Sequence, residues 1–98
     1  MIRGGCIYIM TNPHRTVCYI GVAADLYRRV HQHRSGEGSA FTKKYNCTDL
    51  LYYEVFGRIE EAIAREKQLK KWHRAWKEEL IRKMNPTLQD LTDTIEDF

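Results

Sequence analysis

The stretch VCYIGVAADLYRRVHQH, residues 17–33, begins as a β-branched and aromatic run and turns, past Val22, into a segment whose apolar side chains recur at helical spacing. VCYIGV (17–22) reads as a strand. Asp25 stands where an N-cap belongs, Leu26 and Val30 mark one helical face, and Gly36 beyond the end can stop the helix. CIYIMT (6–11) is a second strand-like run, and the intervening NPHRT contains an Asn-Pro turn signal, so the two strands form a hairpin. LLYYEVF (50–56) reads as a third strand. After Gly57 the periodicity is helical as far as Pro86, as two helices with a joint near Trp72 to Arg74. The fold class is therefore α/β: a small three-stranded, antiparallel-rich sheet flanked by helices, in the order β-β-α-β-α-α. RSGEGSAFTKKYNCTD (34–49) is a polar connection longer than a tight fold requires, which makes it a candidate functional loop. Residues 1–91 form the single domain expected of a 98-residue chain, with 92–98 as an acidic, mobile tail.

The formal charge of +3 hides an asymmetry. Residues 87–98 carry four of the 13 acids and none of the 16 Lys and Arg, so the remainder stands at +7. A basic body suits a polyanion such as nucleic acid. No stretch approaches the roughly 20 consecutive apolar residues of a membrane span, and the N-terminus shows no secretory signal pattern, so a cytoplasmic location is expected. Cys6, Cys18 and Cys47 are widely spaced, without a C-x-x-C pair, and read as reduced thiols.

Strand alternation puts Ile7, Ile9, Cys18, Ile20 and Val22 on one face of the hairpin and Cys6, Tyr8, Met10, Val17, Tyr19 and Gly21 on the other. Two tyrosines then meet on one side, and Gly21 clears room beside them. On the following helix Arg29 and His33, four apart, share a face next to the Leu26 and Val30 stripe and can lean over the sheet. In IEEAIAREKQLKKW a stripe of Ile59, Ala62, Ile63 and Leu69 has Glu66 near its middle, a poor place for a carboxylate unless a cation or metal compensates it. An ion pair with Arg29 or Lys70 that only holds the fold is the alternative.

Together these residues form a pattern. CIY at 6–8, YIG at 19–21, Arg29 ten residues past Tyr19, His33 four further on, Glu66 in AREKQLKKW and Asn85 in MNP resemble the GIY-YIG nuclease superfamily, in particular its short stand-alone bacterial-type members, over roughly residues 4–91. The resemblance implies that Tyr8, Tyr19 and Arg29 share an active site and that Glu66 is delivered to it, holding one divalent cation, Mg2+ or Mn2+. It also implies that His33 corresponds to a site histidine of some members and that Asn85 helps shape the site. Two departures stand out. Cys6 occupies the place of the first glycine, and Val22 follows YIG where certain relatives have a lysine.

The chemistry expected of this set is Mg2+-dependent endonucleolytic hydrolysis of DNA, selected by structure and not by sequence, in DNA repair or processing. Arg29 would offer its planar fork to the scissile phosphate, Tyr19 would act as general base, and Tyr8 would position the water or bond the phosphate. Lys43, Lys44, Lys70 and Lys71 would track the DNA phosphate backbone, and a protein partner would supply specificity that so short a chain lacks. The alternative is a nucleic-acid-binding module that does not cut.

Overall fold

The computed structural model describes residues 4–96. Three antiparallel strands, β1 (Gly5–Thr11), β2 (Cys18–Ala23) and β3 (Asp49–Phe56), form one sheet in the order β2-β1-β3. The Asn12 side chain accepts from the backbone N–H groups of Thr16 and Val17 at 2.8 and 3.0 Å, closing the hairpin turn where Asn-Pro predicts it. α1 (Leu26–Arg34) starts on Asp25, whose carboxylate accepts from the Arg28 N–H at 3.1 Å. α3 (Ile59–Lys70) and α4 (Arg74–Met84) follow β3 and are broken at 71–73, the expected joint. The α/β class and the order of these six elements agree with the sequence reading.

The connection 34–49 holds an element that reading left out, the short helix α2 (Ala40–Lys44), whose N-cap Ser39 accepts from the Thr42 N–H at 3.1 Å. At the other end of the chain, Thr92–Ile95 makes one 3-10 turn packed on α1. This corrects the expectation of a mobile tail from residue 92. Ile95 is fully buried beside Leu26 and Val30, and the Asp90 carboxylate accepts from the backbone of Leu50 and from Thr92. Residues 97 and 98 lie outside the described residues.

The sheet has two different faces. Ile7, Ile9, Ile20 and Leu51 pack under Ala62, Leu69 and Ile81 of α3 and α4, an apolar layer in which each fully buried aliphatic side chain contributes roughly 1.5–3 kcal/mol. Cys6, Tyr8, Met10 and Leu50 face α1, through Leu26 and Val30, with Tyr19 packed at their margin. The Cys6 thiol donates to the Ala23 carbonyl at 3.4 Å, and burial raises its pKa to about 11, so it remains a packing group where the motif has glycine. Cys47 is also buried, Cys18 is half-buried, and all three cysteines are free thiols.

The stripe expected on α3 needs one correction. Ala62 and Leu69 are buried and Ile59 half-buried, but Ile63 is 40% exposed, because it lies about 100° around the helix from Ala62.

β1 and β3 slip register between Ile9 and Met10, leaving Leu51 without a partner on β1. Asn85, the C-cap of α4, donates from Nδ2 to the Leu51 carbonyl at 3.0 Å and so satisfies a group the slip frees.

Candidate active site

Pairing brings Tyr8 opposite Gly21, and Tyr19 opposite Met10, on the same face. The tyrosine rings lie with centroids 6.2 Å apart. A side chain at position 21 would put its Cβ 2.4 Å from the Tyr8 hydroxyl, so the glycine of YIG is the space the first tyrosine occupies.

α1 supplies the polar partners. His33, only 3% exposed, places Nε2 2.7 Å from the Tyr8 hydroxyl and Nδ1 2.9 Å from Thr42 Oγ1, and its ring meets Tyr19 edge-on at 5.3 Å. Gly38 allows α2 to come this close, since a Cβ there would fall 2.1 Å from His33 Nδ1. Burial raises the pKa of Tyr8 well above its ordinary value, Tyr19 adds to the rise, and the Arg29 guanidinium opposes it. Burial lowers that of His33, and the Arg29 charge lowers it further. Both shifts favour a neutral phenol bonded to a neutral imidazole.

Tyr8 itself has no exposed surface. Tyr19, Arg29 and His33 instead line an open groove of about 340 Å³ together with Gln32, Glu37 and Ser39. A second depression of about 250 Å³ begins at Tyr19 and passes Ile20 and Phe41 to Lys70 and Lys77, so it runs around edge strand β2 from one sheet face toward the other.

Glu66 and Asn85 lie outside the hydrogen-bonded set. Glu66 belongs to α3, on the isoleucine face, and its half-buried carboxylate is 3.6 Å from Lys70, one of the two ion-pair partners foreseen for it. Its neighbour Arg65 turns to Glu54 on β3 at 3.0 Å. Glu66, about 100° further around the helix, pairs instead with Lys70, which borders the depression that reaches Tyr19. Among the described residues no hydrogen bond or ion pair joins Glu66 to Tyr8 or Tyr19. Asn85 is fully engaged elsewhere: besides Leu51 it donates to the Gln89 carbonyl at 2.7 Å and accepts from the Gln89 N–H at 3.0 Å. It clamps β3, the neighbour of the strand that carries Tyr8.

A family model described as the GIY-YIG catalytic domain matches residues 4–79, and these include both tripeptides, Arg29, His33 and Glu66. The chain belongs to the GIY-YIG family. Among proteins similar to it, the UPF0213 protein of Pediococcus pentosaceus is 30% identical over 91 residues, covering 93% of this chain and 95% of the relative. The UPF0213 protein of Staphylococcus saprophyticus is 36% identical over 63 residues, 64% of this chain and 77% of the relative. That of Streptococcus pneumoniae is 38% identical over 63 residues, 64% of each. No solved structure matches. Membership of this family makes the chain a nuclease-type domain directed at DNA, and among the described residues no helix is long and apolar enough to cross a membrane.

Within the GIY-YIG frame, Val22 packs half-buried against the isoleucine cluster, so the residue after YIG points away from the tyrosines. Of the four lysines, Lys43 and Lys44 end α2 and are exposed, Lys70 borders the β2-edge depression, and Lys71 caps α3. The residues the sequence reading missed, Gly38, Ser39, Phe41 and Thr42, all come from the 34–49 connection. A signal was present: Ser39 ahead of AFTKK is an N-cap before a helical turn.

Proposed function

We propose that this protein is a divalent-metal-assisted DNA endonuclease that hydrolyses phosphodiester bonds and selects its substrate by DNA structure. The observation that carries the reading is the 2.7 Å Tyr8–His33 bond with Arg29 alongside, at the side of an open groove with a phenol in its wall. Arg29 offers a planar fork to the non-bridging oxygens of a phosphate in that groove, a geometry lysine lacks. Tyr19, half-buried at the groove, is the general base. A phenol serves as a base only where positive charge favours the phenolate. The complete burial of Tyr8 argues for a different role from the one expected of it: it anchors His33 in place of touching water or phosphate.

Glu66 would hold the cation. Among the described residues no group of three or more His, Cys, Asp or Glu forms a metal cage, so the donor set is a single carboxylate. That fits Mg2+ or Mn2+, which keep several waters and take one or two carboxylates plus substrate phosphate oxygens. When bound, such an ion supplies charge stabilisation at the phosphate and the departing 3′ oxygen. Lys43, Lys44, Lys70 and Lys71 contact the phosphate backbone without reading bases, which makes the affinity steeply salt-dependent. A protein partner that delivers DNA during repair or processing fits the same limits.

Nicking of supercoiled plasmid with and without Mg2+, with Glu66→Ala as the control for contaminating nuclease, tests the reading. Cleavage that needs the ion and disappears in the variant is expected; equal cleavage by the variant would overturn it. One observation favours the second reading, a nucleic-acid-binding module that does not cut: Glu66 is ion-paired with Lys70. That reading predicts salt-dependent DNA binding with no Mg2+-dependent product.

A further inference from the structure

Thr42 belongs to no part of the chemistry described so far, yet it is buried to 1% exposure against a histidine nitrogen. We propose that Thr42 is a positioning residue that fixes His33 as its Nδ1–H tautomer and thereby sets the direction of the Tyr8–His33 bond. The proposal rests on the endonuclease reading for its effect on rate; the tautomer assignment stands on hydrogen bonding alone.

The direction of each bond follows from what its neighbours can give and take. Thr42 Oγ1 has one hydrogen and two lone pairs. It lies 3.0 Å from the Ser39 carbonyl, which can only accept, so the Thr42 hydrogen is directed there. The Ser39 hydroxyl donates to Thr42 Oγ1 at 3.2 Å, and the remaining lone pair faces His33 Nδ1, which therefore carries the proton. A neutral imidazole protonated at Nδ1 has Nε2 free as an acceptor.

The other end of the chain requires the same assignment. The Tyr8 hydroxyl is fully buried, its hydrogen-bond partner among the described residues is His33 Nε2, and the Arg29 charge acts on it. A guanidinium has no acceptor, so the Tyr8 hydrogen goes to Nε2. All the bonds run in one sense: Tyr8 to His33, His33 to Thr42, Thr42 to the Ser39 carbonyl.

The opposite tautomer would reverse the middle of this chain. Nε2–H would donate to Tyr8, and the phenol hydrogen would be turned away from the imidazole, toward the positive charge of Arg29. Thr42 and Ser39 exclude that arrangement at little cost, because both sit in the first turn of α2, where Ser39 already caps the helix. The 34–49 connection thus acts as the far anchor of the Tyr8–His33 pair beside the groove.

The experiment is 15N-detected NMR of the His33 ring at neutral pH, in the full chain and in Thr42→Val and Thr42→Ser, paired with single-turnover cleavage of nicked and branched DNA in Mg2+. Wild type is expected to show a protonated Nδ1 and a bare Nε2. Thr42→Val should shift the ring toward the Nε2–H form and cut on the order of ten- to a hundred-fold more slowly, whereas Thr42→Ser should recover both tautomer and rate. A wild-type ring protonated at Nε2 overturns the proposal whether or not any variant folds. So does a folded Thr42→Val chain with unchanged tautomer and rate. A wild-type chain with the expected tautomer that cuts no DNA would sink the endonuclease reading while upholding the assignment of His33.

Discussion

The two faces of the sheet carry different burdens. Under α3 and α4 the buried layer of β1 and β2 is mainly isoleucine, asked chiefly to fill volume, although Thr11 buries a hydroxyl without a partner there. Under α1 the same strands bury Tyr8, and His33 and Thr42 lie buried above them, so this face must satisfy every polar atom as well as fill space. The difference shows how a chain of 98 residues can hold both a core and a site: one face supplies stability, while the other uses the rigidity of a packed interior to aim a guanidinium and a phenol at an open groove.

Substitutions on the two faces should therefore separate rate from stability. Arg29→Lys is expected to have the largest effect, lowering cleavage on the order of 10²- to 10³-fold by removing the bidentate contact, with the melting curve unchanged; equal cleavage would mean that the fork geometry is unimportant. Ile9→Ala should do the reverse. Deleting its fully buried side chain costs about 3 kcal/mol in urea unfolding, while the cleavage rate per folded molecule stays close to wild type. If that rate falls in proportion to stability, the two faces are not separable.

Gly21→Ala probes the boundary between them. Its Cβ would lie 2.4 Å from the Tyr8 hydroxyl, so the phenol must move. Overpacking of this kind costs roughly 1–3 kcal/mol, and the displaced Tyr8 should also lose its bond to His33, visible as a change in the His33 ring shifts.

The smallest effect belongs to the acidic segment that closes the tyrosine face. Burial pushes the Asp90 carboxyl up, but hydrogen bonds from Thr92 and the Leu50 N–H, with the charge of Arg34, outweigh it and leave the group below its ordinary value. A depressed carboxylate stabilises the fold above its unfolded pKa and loses that contribution as pH falls through the folded value. Asp90→Ala should therefore cost about 1 kcal/mol at pH 7 and show a smaller deficit at pH 3. An undiminished deficit in acid would show that the carboxylate charge is irrelevant there.

Local periodicity was enough to read much of this. The three strands, the capped start of α1 at Asp25, the joint after Lys70 and the division of the hairpin into isoleucine and tyrosine faces are each set by residues within a few positions of one another. Ile63 and Ile95 escaped because their burial depends on which neighbour lies over them. A helical projection cannot tell that α3 turns Ile63 to solvent, and an acidic composition cannot tell that Ile95 fills the space beside α1.

The sequence by itself determined the elements, the motif and the identity of the polar groups, since alternation and capping are properties of adjacent residues. Only the tertiary structure decided how those groups are joined. It put Thr42 against His33, Tyr8 in the space left by Gly21, Asn85 on the strand slip and Glu66 beside Lys70. The physical reason is that a hydrogen bond between residues far apart in the chain depends on the angle and depth at which two packed elements meet, and no local pattern of residue types records either.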